Sequence, residues 1–92
     1  MVKSLEIKDK YFQLLELVKY EAEANTSIWD YYNYLNEYRS RFSEESNLLY
    51  KQDLREFLRG ANRYSDEFIF SDKNYSAIRE VTNILFDILC TK

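Results

Sequence analysis

The chain has 92 residues, of which 46% are hydrophobic and 17% aromatic, and its formal net charge at pH 7 is -3. This size and composition suit one domain, residues 1–92, whose core needs neither metals nor disulfides. The sequence has no histidine, no proline, one glycine and one cysteine, which excludes the usual zinc sites, internal disulfides and glycine-rich phosphate loops. We therefore expect no cofactor and no bound metal.

The N-terminal segment and the single cysteine predict where the protein resides. Met1–Glu6 runs directly into charged residues, and no apolar run approaches the roughly 20 residues that a membrane span needs. Cys90 has no second thiol to pair with, which fits a reducing compartment. We expect a cytoplasmic protein without a membrane partner.

Two amphipathic helices are predicted in the first half of the chain. Ser4 is a candidate N-cap, and apolar residues then recur at helical spacing to about Ala24. Ser27 and Asp30 resemble a capping box that begins the second helix. The apolar stripe of this second helix comprises Ile28, Tyr31, Leu35, Tyr38 and Phe42.

Two large aromatic residues fall off that stripe. Trp29 points about 100° away from Ile28, and Tyr34 also lies off the predicted buried face. Aromatic residues of this kind anchor many protein interfaces, although many others only cover the edge of a helix. Trp29 and Tyr34 are therefore candidate binding residues.

A third helix is predicted after the polar connection Ser43–Asn47, beginning at Leu48 or Leu49 and ending near Ser65. Its apolar stripe comprises Leu54, Phe57, Leu58, Ala61 and Tyr64. Gly60 costs a helix interior about 1 kcal/mol relative to alanine. We therefore expect another helix to cross so closely at Gly60 that no side chain fits there.

The opposite side of the third helix carries four basic residues at i+4 spacing, which we call the basic stripe. It consists of Lys51, Arg55, Arg59 and Arg63. These residues could follow a nucleic-acid backbone or form ion pairs with Asp53, Glu56 and acids on neighbouring helices. The negative net charge of the chain favours ion pairing or a protein partner over direct binding of nucleic acid.

The last third of the chain predicts a short connection and a fourth helix. Asp66–Phe70 is too short and too apolar for a free loop, so we expect it to fold back over the open end of the core, where a strand would lack a partner. Ser71 or Asp72 then caps the last helix. Its apolar face comprises Tyr75, Ile78, Val81, Leu85, Ile88 and Leu89. The whole pattern predicts an all-α, single-domain four-helix bundle with short connections.

The sequence offers no set of catalytic residues. Without histidine, a nucleophile lacks its usual general base. Carboxylate pairs such as Asp66 with Glu67 are common on solvated helix faces and rarely hold a metal. We therefore expect a protein that binds a partner, not an enzyme, and no small-molecule substrate.

Two segments resemble the colicin D immunity protein family, self-protective bacterial proteins that neutralise tRNA-cleaving toxins in the producing cell. Thr26–Tyr32 resembles the small-polar, Ile, acidic-aromatic opening of the family's second helix. Leu58–Asp66 resembles the apolar-Ala-x-Arg-aromatic-x-acidic ending of its third helix. The final helix, Tyr75–Leu89, is similar to the family's last helix in position and periodicity.

The resemblance implies a partner and a binding surface. In that family the inhibitor covers the toxin's basic, RNA-binding active site with acids near the end of the third helix and in the following loop. Asp66 stands at the matching place, with Glu67 and Asp72 nearby, and we place Trp29 or Tyr34 beside them. The expected partner is a cognate nuclease toxin, either a bacteriocin or a contact-dependent inhibition effector.

Two other functions are compatible with the sequence. A small phage- or plasmid-encoded module could bind nucleic acid, or a nucleic-acid-handling protein, through the basic stripe of Lys51, Arg55, Arg59 and Arg63. The other is a helical bundle that only associates with itself.

Overall fold

The computed structural model describes residues 3–43 and 45–90, which form four α-helices. The helices are α1 (Lys3–Ala24), α2 (Trp29–Asn36), α3 (Lys51–Tyr64) and α4 (Asp72–Cys90). Three 3₁₀ turns separate them, at Thr26–Ile28, Arg39–Phe42 and Ser65–Glu67. The predicted all-α four-helix bundle is confirmed. The connections before α2 and before α4 are short as predicted, whereas the one between α2 and α3 is longer than predicted. Met1, Val2, Glu44, Thr91 and Lys92 lie outside the described residues, as do parts of the predicted N-terminal segment and of the predicted Ser43–Asn47 connection.

Each helix runs antiparallel to the next in sequence, so the molecule has two ends. We call residues 21–29 and 64–72 the upper end, where α1 and α3 finish and α2 and α4 begin. The lower end consists of residues 3–7, 36–43, 45–51 and 88–90. Helix α1 packs closely against α4 and α2, and α3 packs closely against α4.

The core contains the apolar stripes that the sequence predicts. Its fully buried side chains include Ile7, Leu14, Val18, Ile28, Leu35, Leu54, Leu58, Leu85 and Leu89. Burial of such side chains contributes roughly 1.5–3 kcal/mol each, which makes this core the main source of stability. Tyr75 is the exception in the α4 stripe, because it is exposed beside the first turn of the helix.

The second helix is shorter than predicted and begins differently. Helix α2 ends at Asn36, and the chain reaches the buried Phe42 through the second 3₁₀ turn. The Ser27–Asp30 capping box is wrong, because Asn25 caps this region. Its Oδ1 accepts hydrogen bonds from the Ser27 backbone N (3.3 Å) and Ser27 Oγ (2.9 Å), which favours a tight turn before the helix.

The third helix begins at Lys51, so the predicted start at Leu48 or Leu49 is also wrong. Buried Asn47 holds a turn there, since its Nδ2 donates to the carbonyl oxygens of Ser4 (2.8 Å) and Phe42 (3.2 Å). Ser4 lies inside α1 and is not its N-cap; its Oγ donates to Asn47 Oδ1 (3.1 Å). These bonds fix the backbone around Asn47 in a turn and leave the two leucines exposed.

The connection between α3 and α4 follows the sequence closely. Phe68 is half-buried and Phe70 is buried, so the segment folds back over the core as predicted. Among the described residues this segment forms no strand. Ser71 is the N-cap of α4, because its Oγ accepts a hydrogen bond from the Asn74 backbone N (3.4 Å).

Gly60 does not lie at a close helix crossing, which corrects the prediction. Helix α2 and the segment after it face α3 through aromatic rings; the ring centroids of Tyr38 and Phe57 are 3.8 Å apart, and those of Tyr34 and Phe57 are 5.1 Å apart. These rings hold the two backbones away from each other. A Cβ at Gly60 would meet only Tyr34 Oη, at 3.4 Å, which is an ordinary van der Waals contact.

Candidate interaction surface

Four of the five predicted binding residues lie at the upper end. Asp66 and Glu67 are in the 3₁₀ turn after α3, Asp72 opens α4, and Trp29 opens α2. Tyr34 lies further along α2, in the groove between α2 and α3. The antiparallel topology therefore brings the three acids and Trp29 to one end and leaves Tyr34 on the side of the bundle.

A buried carboxylate organises the upper end. Glu21, in the last turn of α1, is only 5% exposed. Its carboxylate accepts hydrogen bonds from the Ser71 backbone N (2.6 Å), Ser71 Oγ (2.8 Å) and Asn74 Nδ2 (2.6 Å). Burial by itself raises the pKa of Glu21, but these hydrogen bonds to the charged form outweigh it and lower the pKa below its usual value. Glu21 therefore remains charged at neutral pH and ties α1 to the start of α4.

The segment before Ser71 is held by aromatic packing. The ring centroid of Tyr31 lies 5.5 Å from that of Phe68 and 5.9 Å from that of Phe70. Tyr31 is itself fixed, since its hydroxyl donates to the Ala61 carbonyl (3.0 Å) near the end of α3. Together with Glu21 of α1, these residues of α2 and α3 fix the short connection before α4.

The three predicted acids are all exposed, but their surroundings differ. Asp66 Oδ1 lies 3.8 Å from Arg79 Nη1 of α4, an exposed ion pair that contributes little to stability. Asp72 is in the first turn of α4, where a negative charge is favourable next to the helix N-terminus. Within residues 3–43 and 45–90, no ion pair joins Glu67 or Asp72. Glu67 and Asp72 can thus contact a partner without first breaking an ion pair.

The sequence interpretation missed Ile69 as a surface residue. It is 85% exposed and lies between the half-buried Phe68 and the buried Phe70. The backbone is extended at Phe68, with φ -119° and ψ 150°, and successive side chains of an extended chain point to opposite sides. All three positions are apolar, so no pattern in the sequence distinguishes Ile69 from Phe68 and Phe70.

Trp29 and Tyr34 both take part in packing. Trp29 is half-buried and makes an edge contact with Tyr32, with ring centroids 5.4 Å apart. Tyr34 packs against Phe57 and Tyr64, each at 5.1 Å, and burial raises the pKa of its hydroxyl. Trp29 keeps an exposed part at the upper end, whereas Tyr34 mainly spaces two helices.

The basic stripe lies partly against α4. Arg55 Nη1 donates to the Leu89 carbonyl (3.3 Å), and the Arg59 guanidinium lies 5.8 Å from the ring centroid of Phe86. Asp53, one predicted partner of the stripe, pairs instead with Arg41 at 3.0 Å. Arg55 and Arg59 thus contact groups of α4, so this part of the stripe lies against a neighbouring helix.

A second exposed apolar patch lies at the lower end, at Leu48, Leu49 and Tyr50. Its charged neighbours have both signs, since Arg41 lies 5.8 Å from the Tyr50 ring while Asp53 and Glu56 line the groove beside Leu49. Because charges of both signs lie beside it, this patch favours neither a basic nor an acidic partner.

Residues 3–43 and 45–90 contain neither a candidate metal site nor a candidate membrane span. No group of three or more Cys, Asp or Glu side chains there could hold a metal ion. No helix in these ranges is long and apolar enough to cross a membrane.

Comparison of the chain with protein-family models, curated proteins and solved structures found no match. The resemblance to the colicin D immunity family thus stays a prediction from the two segments that carry it.

Proposed function

We propose that the protein is an immunity protein that binds one cognate tRNA-cleaving toxin and covers its active site, without catalysing a reaction itself. The observation that supports this most directly is the upper end, where Asp66, Glu67 and Asp72 lie exposed on a segment held by Glu21 and Tyr31. A fixed acidic surface suits a partner with a fixed basic cleft.

Electrostatics explain how such a surface would block a nuclease. A cleft that binds RNA presents Lys and Arg side chains to phosphates. Carboxylates that replace those phosphates form charge-assisted hydrogen bonds, and the opposite potentials accelerate encounter at low salt. The net charge of -3 adds to this attraction over longer distances.

The basic stripe supports the alternative function less well. Two of its arginines contact α4, Arg55 at a backbone carbonyl and Arg59 at an aromatic ring. A phosphate backbone would have to compete with both contacts. We therefore propose a protein partner and no direct contact with nucleic acid.

The test is survival of bacteria that express, one at a time, the tRNA-cleaving toxin domains encoded in the source genome, with and without this protein. We expect the protein to rescue growth against one of them. Simultaneous Asp66→Lys, Glu67→Lys and Asp72→Lys should abolish rescue, since loss of a single buried charged partner costs roughly 2–5 kcal/mol of binding. Calorimetric titration with the purified domain then measures the affinity.

A charge-matched control distinguishes an effect of the upper end from an effect of the net charge of the protein. Reversal of three exposed acids away from the upper end, Glu6, Asp9 and Glu45, changes the net charge equally and should leave rescue intact. Failure to neutralise any encoded toxin domain would reject the immunity function. Full rescue by the upper-end triple variant, with loss of rescue by Arg55→Glu and Arg59→Glu, would assign function to the basic stripe.

A further inference from the structure

We infer that Ile69 is the apolar anchor of this interface, and that its partner offers an apolar pocket rimmed by Lys and Arg. The inference rests on the proposed function for the nature of that partner. It adds to the three acids an apolar contact residue on this protein and a matching apolar pocket on the partner.

The backbone presents Ile69 outward. Phe68 and Phe70 turn into the bundle and pack on Tyr31, and the extended chain between them directs the intervening side chain to solvent. The side chain is 85% exposed. Transfer of this apolar surface into a pocket is favourable because it removes the surface from water.

The segment that carries Ile69 is already ordered before any partner binds. On one side, the Phe68 backbone N donates to the Ser65 carbonyl (3.1 Å). On the other, Ser71 is held by the Glu21 carboxylate through two hydrogen bonds. Little conformational entropy is then lost on binding, which is the advantage of a preorganised anchor.

The charges around Ile69 define the chemistry of the pocket. Asp66, Glu67 and Asp72 all lie within three residues of it along the chain, a span of at most about 11 Å. They outnumber the two bases close to them, Lys73 next to Asp72 and Arg79 at 3.8 Å from Asp66. An apolar centre with a polar, charged rim is the usual arrangement of an interface hot spot. The complementary surface therefore has an apolar centre and a basic rim.

Leu49 offers a matched comparison within the same chain. It is 80% exposed, but it lies at the lower end among charges of both signs. An exposed apolar residue without an excess of neighbouring acids should not select basic partners. Leu49 therefore serves as the control position.

The experiment uses a phage-displayed library of random short peptides, selected at low salt against the immobilised full-length protein. We expect enrichment of peptides that combine a large apolar residue with Lys or Arg. Binding of these peptides should weaken by about tenfold or more with Ile69→Ala or Ile69→Asp. Leu49→Ala and Leu49→Asp should leave their binding unchanged.

The outcomes separate this inference from the proposed function. Enrichment of no basic peptide, or binding that is insensitive to Ile69, would overturn the anchor. Rescue from a toxin that Ile69→Ala leaves undiminished would overturn the anchor while the immunity function stands. Peptide binding that requires Ile69, without rescue from any toxin, would support the surface and reject the immunity function. Both Ile69 variants alter an exposed side chain, so circular dichroism should show an unchanged fold.

Discussion

At the scale of single residues, two buried tyrosines link neighbouring helices through hydrogen bonds to carbonyls in their last turns. The Tyr11 hydroxyl donates to the Leu35 carbonyl in the last turn of α2, and the Tyr31 hydroxyl donates to the Ala61 carbonyl in the last turn of α3. Each carbonyl also accepts a backbone N–H, that of Tyr38 at Leu35 and that of Ser65 at Ala61, so the tyrosine hydroxyl is a second donor to the same buried oxygen. Burial raises the pKa of both hydroxyls far above the usual range, so they stay protonated and continue to donate.

Gly60 gives the prediction that belongs to this scale. Because a Cβ at this position meets only Tyr34 Oη at 3.4 Å, Gly60→Ala should gain helix propensity without a clash. We expect an increase of up to about 1 kcal/mol in the free energy of unfolding. Urea titration followed by circular dichroism measures it. Ala61→Gly, at the buried neighbouring position, is the control and should destabilise. A lower stability of Gly60→Ala would support the original prediction of a close helix crossing at this position.

The Gly60 case shows where reading the sequence fails. The spacing of apolar residues correctly predicts which side of α3 is buried, because that depends only on helical periodicity. It does not give the distance to the next helix, which here depends on how the rings of Tyr34, Tyr38 and Phe57 stack. The side chains that face Gly60 from the neighbouring helix are large aromatic rings, so this glycine does not mark a close approach of two helices.

At the scale of elements, α4 is held at both ends by charged side chains of other helices. The Glu21 carboxylate lies at its N-terminus and the Arg55 guanidinium at the Leu89 carbonyl near its C-terminus. Each charge opposes the partial charge of the helix end that it contacts. The two contacts together favour the antiparallel placement of α4 beside both α1 and α3.

Arg55→Met tests the C-terminal contact and retains much of the apolar stem. We expect a loss of about 0.3–1 kcal/mol in the free energy of unfolding at low ionic strength, shrinking as salt is added, because salt screens the charge at the helix end. Lys19→Met is the control, since Lys19 is exposed, lies before the last turn of α1 and joins no ion pair within the described ranges. Equal effects of the two substitutions would show that Arg55 does not stabilise α4.

The boundaries of the elements were predictable only where local signals decide them. Helices α1 and α4 match their predicted ranges within a few residues, since the apolar spacing and the Ser71 cap are local. The start of α3 was missed because Asn47 bonds to Ser4, a residue 43 positions away. The role of Glu21 was missed for the same reason, as Ser71 is 50 positions away.

At the scale of the whole molecule, the candidate site is a consequence of how the bundle closes. The upper end joins the ends of α1 and α3 to the starts of α2 and α4. Position in the sequence was enough to place Asp66 and Glu67 in the turn after α3 and Asp72 at the start of α4. The support beneath them, Glu21 and Tyr31, depends on tertiary contacts.

Glu21→Gln tests whether one carboxylate holds this end of the molecule together. A glutamine amide has one acceptor oxygen and would turn its NH₂ group towards Ser71 and Asn74, which both donate to Glu21. We expect a loss of about 1–3 kcal/mol in the free energy of unfolding at neutral pH. Glu23→Gln is the control, because Glu23 is exposed.

The pH dependence of that loss identifies its cause. The pKa of Glu21 is lower in the folded protein than in the unfolded chain, so the folded state favours the charged form. Its contribution is complete above the ordinary glutamate pKa of about 4.3 and is lost as the pH falls through the folded pKa. The stabilities of the wild type and Glu21→Gln should therefore converge in acid, as measured by urea titration across this range. A difference that is the same at neutral and acidic pH would show that Glu21 stabilises the upper end by packing and not by its charge.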